Sequence, residues 1–271
     1  MNKQEIIKNY LQILNINFDI KNLDDITKLI KAHVKTFAFS SLKVLLKEEI
    51  NLDLNSIYEN IVVNKRGGYC FEHNKLMYEV LKGLGFEVTH YLARVVNNTD
   101  NMPPQTHRFT LLNFENERYL IDVGIGFRIP SVAVKFGNTP SLSHLDIPYI
   151  IKEFDDGTYA MQLIEKGKEF IATKFDLNRC YEADFEMGHF YSHKNPNAVF
   201  VNNLVVSRIE QDVIYSLVND TYLKISNDKT QEIKIKDAKQ LKEIINNDLN
   251  SKYTLEEIEL IYNNYIKEKS I

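Results

Sequence analysis

The feature that most constrains this chain is a change of hydrophobic period near residue 85. Before it, apolar residues recur at helical spacing. Ile6, Ile7, Tyr10, Leu11 and Leu14 share one face, and Ile26, Leu29, Ile30 and His33 share another. Asn22 suits the N-cap of the second stretch, with Asp24 and Asp25 at the positive end of its dipole. A third helix is predicted from Cys70, with Met77, Val80, Leu81 and Leu84 inward and Gly83 or Gly85 as its stop. From Phe86 the period becomes two. Strands are predicted over 87–96, 106–114, 118–123, 147–154, 158–164 and 168–175, with turns at Asp155-Asp156-Gly157 and Glu165-Lys166-Gly167. A second meander, 204–209, 213–218 and 221–225, leads into a helical tail. There Asp237 with Gln240, and Thr254 with Glu257, match the capping-box pattern. Residues 97–106 and 128–146, rich in Asn, Pro and Ser, read as loops. Helices, then strands, then strands with closing helices make an α+β chain rather than alternating βαβ units.

Composition narrows the class of function. With 44% hydrophobic residues the chain has enough apolar surface for a large core. A formal charge of −4, with Lys scattered among Asp and Glu, argues against a nucleic-acid binder and for small-molecule partners. No window approaches the run of about 18 apolar residues that a membrane span needs. The first fourteen residues mix Lys, Gln, Glu and Asn, unlike a secretory signal, so a cytoplasmic protein off the membrane is expected. Cys70 and Cys180 lie far apart in such a chain. A structural disulfide is not expected, and a reactive thiol deserves a search for its partners.

Arg66-Gly67-Gly68-Tyr69-Cys70-Phe71-Glu72 is the most informative segment. Two glycines permit a sharp turn and a close backbone approach. A thiol at a helix start feels the positive end of the dipole and nearby unpaired N–H groups, which favour thiolate and would stabilise an oxyanion. Taken alone, the segment reads more readily as an ordinary tight turn with Cys70 as a small buried hydrophobe. A base is needed to decide.

His107 opens the apolar run that ends at Phe114, and Asp122 sits in the next one, 118–123. An acid in so apolar a strand demands a partner. If 114–117 forms the hairpin loop, Asn113 faces Arg118, Phe109 faces Asp122 and His107 faces Gly124. His107 and Asp122 then lie diagonally on one face, about 7–8 Å apart. A glycine opposite His107 would leave room for its ring. A three- or five-residue loop would put the two on opposite faces. In the favoured register Cys70 is a nucleophile, His107 its base and Asp122 the group that orients the imidazole.

The segment Arg66–Glu72, with Asn74 after it, resembles the arylamine N-acetyltransferase signature around the nucleophile. Leu84-Gly85-Phe86-Glu87-Val88, Ala93-Arg94-Val95, Thr106-His107-Arg108, Asp122-Val123-Gly124-Ile125-Gly126 and Val206-Ser207-Arg208 are similar to the segments that follow in that family. The resemblance covers nearly the whole chain. It implies a helical domain at 1–84 carrying the nucleophile, an antiparallel β-barrel domain at 85–190 carrying the His and Asp, and an α/β lid at 191–271. A papain-like triad would lie between the first two. It further implies that acetyl-CoA acetylates Cys70, that CoA leaves, and that an arylamine or arylhydrazine takes the acetyl group, with no metal. Phe39, Tyr69 and Phe127 would form a flat apolar slot for the acceptor, and Gly124 and Gly126 count as donor-binding positions.

Two departures stand out. The family's Pro-Phe-Glu-Asn is Ala38-Phe39-Ser40-Ser41 here, so Arg66 lacks the usual glutamate and needs another partner, such as Glu72. The aromatic between the family's two glycines is Ile125. Rival readings remain open. Transglutaminase-like enzymes also use Cys, His and Asp, but carry Trp near them, and this chain has none. A zinc-held binding protein could draw on Cys70, His73, His189 and His193, although the two pairs are over a hundred residues apart. His189 and His193 otherwise read as surface or loop residues, and His33, His90 and His144 as packing or exposed ones. Cys180 reads as a buried inert thiol.

Overall fold

In the computed structural model, which describes residues 1–165, 167–210 and 212–267, the first third is built from α1 (Lys3–Ile13), α2 (Leu23–Thr36), β1 (Phe39–Ser40), the short α3 (Leu42–Leu45) and α4 (Leu54–Ile57), and α5 (Cys70–Gly83). Asn22 caps α2 by accepting from Asp25 N, as its sequence position implies. Ile6, Tyr10, Ile26, Leu29, Ile30, Met77 and Leu81 pack into one core, each apolar side chain contributing about 1.5–3 kcal/mol on burial. The stretch read as wholly helical therefore contains one strand. Strand β1 is only two residues long and pairs with Ser207 and Val206, so its cause lies far along the chain.

Eight antiparallel strands follow: β2 (Glu87–Val95), β3 (His107–Phe114), β4 (Glu117–Ile121), β5 (Val134–Lys135), β6 (Gly137–Leu142), β7 (Pro148–Glu153), β8 (Tyr159–Glu165) and β9 (Lys168–Phe175). Their order, β5-β4-β3-β2-β9-β8-β7-β6, curls into a nearly closed barrel, and a bridge between Phe136 and Ile151 draws its ends together. Phe109, Tyr149, Met161 and Phe175 fill the interior. The β3–β4 hairpin matters most. Asn113 faces Arg118 and Phe114 faces Glu117, the register set out above. Glu115 and Asn116, both at positive φ, close it as a two-residue turn. Strands β5 and β6 fall in 128–146, which had read as a loop. Strand β6 is an edge strand exposed along nearly its whole length, so no burial pattern marks it. Lys166, in the turn expected at Glu165-Lys166-Gly167, lies outside the described residues.

The last third holds α6 (Glu182–Lys194), α7 (Val199–Asn202), β10 (Val205–Ile209), β11 (Ile214–Val218), β12 (Thr221–Ile225), β13 (Thr230–Lys234), α8 (Ala238–Glu243) and α9 (Leu255–Ile261). Its sheet runs β1-β10-β11-β12-β13. Leu204, Val206, Leu217 and Tyr222 pack with Leu241, Ile245, Ile258 and Ile261 from the closing helices. Asp237 and Thr254 cap α8 and α9 by accepting from Gln240 N and Glu257 N. Helix α6 was not anticipated, and it runs through residues 190 and 191, between which a domain boundary was expected.

Candidate active site

The glycine pair before Cys70 is shaped by β1. Gly67 has φ +71°, and a Cβ there would lie 2.7 Å from the Ala38 carbonyl oxygen and 2.8 Å from Ser40 Cβ. Ser40 N donates to the Gly68 carbonyl at 2.6 Å, and Gly68 N donates to the Ala38 carbonyl at 3.3 Å. Tyr69 is the extended N-cap residue and Cys70 the first residue of α5. The amides of Cys70 and Phe71 thus precede the first intrahelical bond. Glu72 turns inward, accepting from Tyr69 N at 3.2 Å and Asn60 Nδ2 at 2.7 Å. Burial pushes its carboxyl up to about 7, against the pull of the Lys43 charge and these two bonds.

Cys70 is buried, and its thiol donates to the Thr106 carbonyl at 3.5 Å. His107, the first residue of β3, places Nε2 2.6 Å from Asp122 Oδ2, one residue past the end of β4. With Nε2 on Asp122, Nδ1 is the ring nitrogen left free to serve Cys70. Asp122 Oδ1 accepts from Asn74 Nδ2 and Gly124 N, both at 2.9 Å. Asn74 Oδ1 in turn accepts from Val123 N at 2.8 Å. Burial alone would lower His107. The Asp122 carboxylate, by charge and hydrogen bond, and then the Cys70 sulfur override it and lift the imidazole to about 10.

Gly124 does not sit opposite the His107 ring as the strand register suggested. Strand pairing stops at Ile121, and Asn74 captures the next residues and draws them toward α5. A Cβ on Gly124 would lie 2.8 Å from Cys70 Cα and 2.9 Å from Asn74 Nδ2. The glycine therefore lets the chain cross against Cys70.

A cavity of about 380 Å³ opens on Cys70 and His107. Phe39, Phe127 and Phe200 line it, with Gly124 and Gly126 at the same wall. Tyr69 is not among its lining residues. It is fully buried, and its hydroxyl is bonded to His189 Nδ1. Phe200, from α7, meets Phe39 with ring centroids 5.6 Å apart. No periodic signal pointed to it, because its helix is a four-residue turn. At the rim, Arg128 lies over Phe127 at 4.4 Å and Phe170 at 4.1 Å, and contacts Glu165 at 3.2 Å.

Other expectations need correction. Arg66 pairs with Glu48 and, at 2.8 Å, with Glu257 on α9, not with Glu72. Its guanidinium lies 4.3 Å from the Tyr253 ring, and Tyr253 Oη donates to the Arg66 carbonyl at 2.8 Å. His189 is not a surface loop residue. It is buried on α6, with Nε2 bonded to the Ile50 carbonyl at 2.9 Å. Cys180 is half-buried rather than buried, and what burial it has pushes its thiol up. Cys70, His73, His189 and His193 are not brought together. Among the described residues no group of three or more His, Cys, Asp or Glu side chains could hold a metal ion, and both ring nitrogens of His73 are spent on His33 and Ala38. Nor is any described helix long and apolar enough to cross a membrane.

A thiol at a helix start, meeting an imidazole and a carboxylate from a neighbouring barrel, is the arrangement of the papain-like class. A profile of the N-acetyltransferase family matches residues 22–257. The arylamine N-acetyltransferase of Escherichia coli K12 is 32% identical over 199 residues, 69% of this chain and 66% of that protein, slightly under two thirds of its length. The solved structure of the Mycobacterium tuberculosis arylamine N-acetyltransferase superimposes with a TM-score of 0.85 at 25% identity, covering 90% of this chain and 92% of the other. That of the Mycobacterium marinum enzyme in complex with CoA gives 0.87 at 23% identity, covering 93% and 97%. The chain belongs to the arylamine N-acetyltransferase family.

Proposed function

We propose that the chain moves an acetyl group from acetyl-CoA to the nitrogen of an arylamine or arylhydrazine through a thioester on Cys70. The observation that carries this reading is the His107 imidazole, held at 2.6 Å by Asp122, with Cys70 beside it on the wall of one apolar cavity. In this reading the raised His107 takes the Cys70 proton, so that the sulfur attacks as thiolate beside imidazolium. Sulfur attacks the thioester carbonyl carbon, and the first-turn amides of α5 lie where the oxyanion develops. The intermediate collapses by breaking the bond to the CoA sulfur, which leaves with the proton of imidazolium. The amine then attacks acetyl-Cys70, neutral His107 takes its N–H proton, and thiolate departs with the ion pair restored. Asp122 holds the tautomer throughout, so Nδ1 is the nitrogen that exchanges protons.

Phe39, Phe127 and Phe200 offer an aromatic acceptor flat apolar faces on the cavity wall. Gly124, Gly126 and Arg128 line the same cavity, where the thioester would lie. Tyr69, buried behind that wall, supports it through Phe200 rather than by contact with substrate. A cytoplasmic setting belongs to the same reading, because the chemistry needs a reduced thiol. The helical, barrel and lid segments at 1–84, 85–190 and 191–271 would act as one unit around the cavity. The test is to incubate the protein with acetyl-CoA and map the adduct by peptide mass spectrometry. An added acetyl group on the Cys70 peptide, absent in Cys70→Ala, is expected; its absence from the wild type would overturn the reading.

A further inference from the structure

A chain of buried hydrogen bonds crosses the helical third and ends on the strand that carries Phe39. Tyr10 on α1, His33 on α2 and His73 on α5 are each exposed by 1% or less. Tyr10 Oη lies 2.7 Å from His33 Nδ1, and His33 Nε2 lies 2.7 Å from His73 Nδ1. His73 Nε2 lies 3.0 Å from the Ala38 carbonyl oxygen. Proton positions follow from that last link. A carbonyl oxygen only accepts, so His73 Nε2 carries hydrogen and, in neutral imidazole, its Nδ1 accepts. His33 Nε2 must then donate, which leaves His33 Nδ1 to accept from the Tyr10 hydroxyl. Every ring nitrogen in the chain is satisfied in one sense only. Burial keeps both rings neutral, holding His73 down to about 4 and His33 well below its ordinary value.

The carbonyl that ends this chain belongs to the bridge between β1 and the nucleophile's loop. It also accepts from Gly68 N, at the longer distance of 3.3 Å. The next residue is Phe39, whose side chain lines the cavity with Cys70. We propose that His73 is a positioning residue for the acceptor: the Tyr10–His33–His73 chain holds the ring whose Nε2–H anchors the Ala38 carbonyl, and so sets Phe39 on the cavity wall. This rests on the reading of Cys70 as an acyl carrier.

Tyr10 separates this role from packing. Tyr10→Phe keeps the ring on α1 and removes only the oxygen that orients His33. His33 Nδ1 is then left without its donor, which loosens the imidazole pair through which His73 Nε2 holds the Ala38 carbonyl. His73→Gln does the opposite. Its amide oxygen and nitrogen stand in the same 1,3 relation as the two ring nitrogens, so it accepts from His33 and donates to Ala38 with no tautomer to choose.

The experiment uses the full chain, acetyl-CoA and 4-methoxyaniline as acceptor, with Cys70 acetylation timed separately by quenched-flow mass spectrometry. Tyr10→Phe and His73→Leu should each raise the acceptor KM about fivefold while acetylation of Cys70 stays within about twofold. His73→Gln should restore KM, and adding Tyr10→Phe to it should change KM no further. Normal acetylation with an unchanged acceptor KM in folded Tyr10→Phe overturns the positioning role alone, as does a Tyr10→Phe effect that persists beside His73→Gln. No acetyl group on Cys70 in the wild type sinks the acyl-transfer reading, and the role with it.

Discussion

Replacing Asp122 by Asn tests the site at its tightest contact. Oδ1 of Asp122 already accepts two N–H groups, from Asn74 and Gly124. The asparagine must keep its oxygen there and turn its NH2 toward His107 Nε2. Two donors then face each other, so His107 moves its hydrogen to Nδ1, the nitrogen that has to meet the sulfur with a lone pair. Charge is lost as well. Burial opposes imidazolium, and Asp122 leads the contributions that lift it from 6.5 to about 10, a change worth about 5 kcal/mol. Losing most of that preference slows acylation by about 10³–10⁴-fold. Single-turnover acetylation at neutral pH, followed by quenched mass spectrometry, reads the rate; circular dichroism and thermal unfolding check that the near-isosteric variant keeps its fold. A variant that acylates within about tenfold of the wild type would refute the tautomer argument.

Three further outcomes follow from contacts already described. Gly124→Ala puts a methyl group 2.8 Å from Cys70 Cα, and since backbone cannot yield like a side-chain tip, Cys70 acetylation should fall about 100-fold; an unchanged rate would show that the crossing has slack. Histidines buried neutral contribute to the pH dependence of stability. The folded value of His73 is depressed from 6.5 to about 4, so its contribution is full above 6.5 and is lost as pH falls through that window toward 4. His73→Gln should therefore flatten the acid limb of urea-unfolding stability by about 2–3 kcal/mol between pH 7 and 4, and parallel limbs would contradict this. Arg66→Lys loses the fork that reaches Glu48 and Glu257 and the stacking on Tyr253. A loss of about 1–2 kcal/mol in urea unfolding is expected, whereas an unmoved midpoint would mean the clamp adds nothing.

The parts of the site that were legible in sequence are those whose cause is local. The His107–Asp122 pairing follows from two apolar runs around a polar Glu115-Asn116 turn, because only an even register puts both groups on one face. Cys70 at a helix start follows from the apolar spacing after it. Helix α6 was illegible because its faces are inverted. His189 and Ser192 point inward beside Phe185, while Met187 and Phe190 are 70% and 60% exposed, so the usual helical stripe cancels. Strand β6 is exposed and contains Pro140, and β1 is two residues long, too short for any period. The partner of Arg66 could not be read either, since Glu257 lies 191 residues away. The course of the chain after Ile121 depends on Asn74, from a different element, which is why Gly124 was placed against the wrong neighbour.

Strand β1 also sets a timetable. Phe39 and Ser40 wait for Ser207 and Val206, and Arg66 waits for Glu257. At about 5–20 residues per second, a translating ribosome needs on the order of 10–30 s to pass from the first pair to the second. In that interval α1, α2 and α5 have their own core to form, but the cavity lacks Phe200 from one wall and β10 from behind Phe39. The thiol is made early and enclosed late, so an unfinished chain holds Cys70 without the enclosure that the proposed acyl transfer needs.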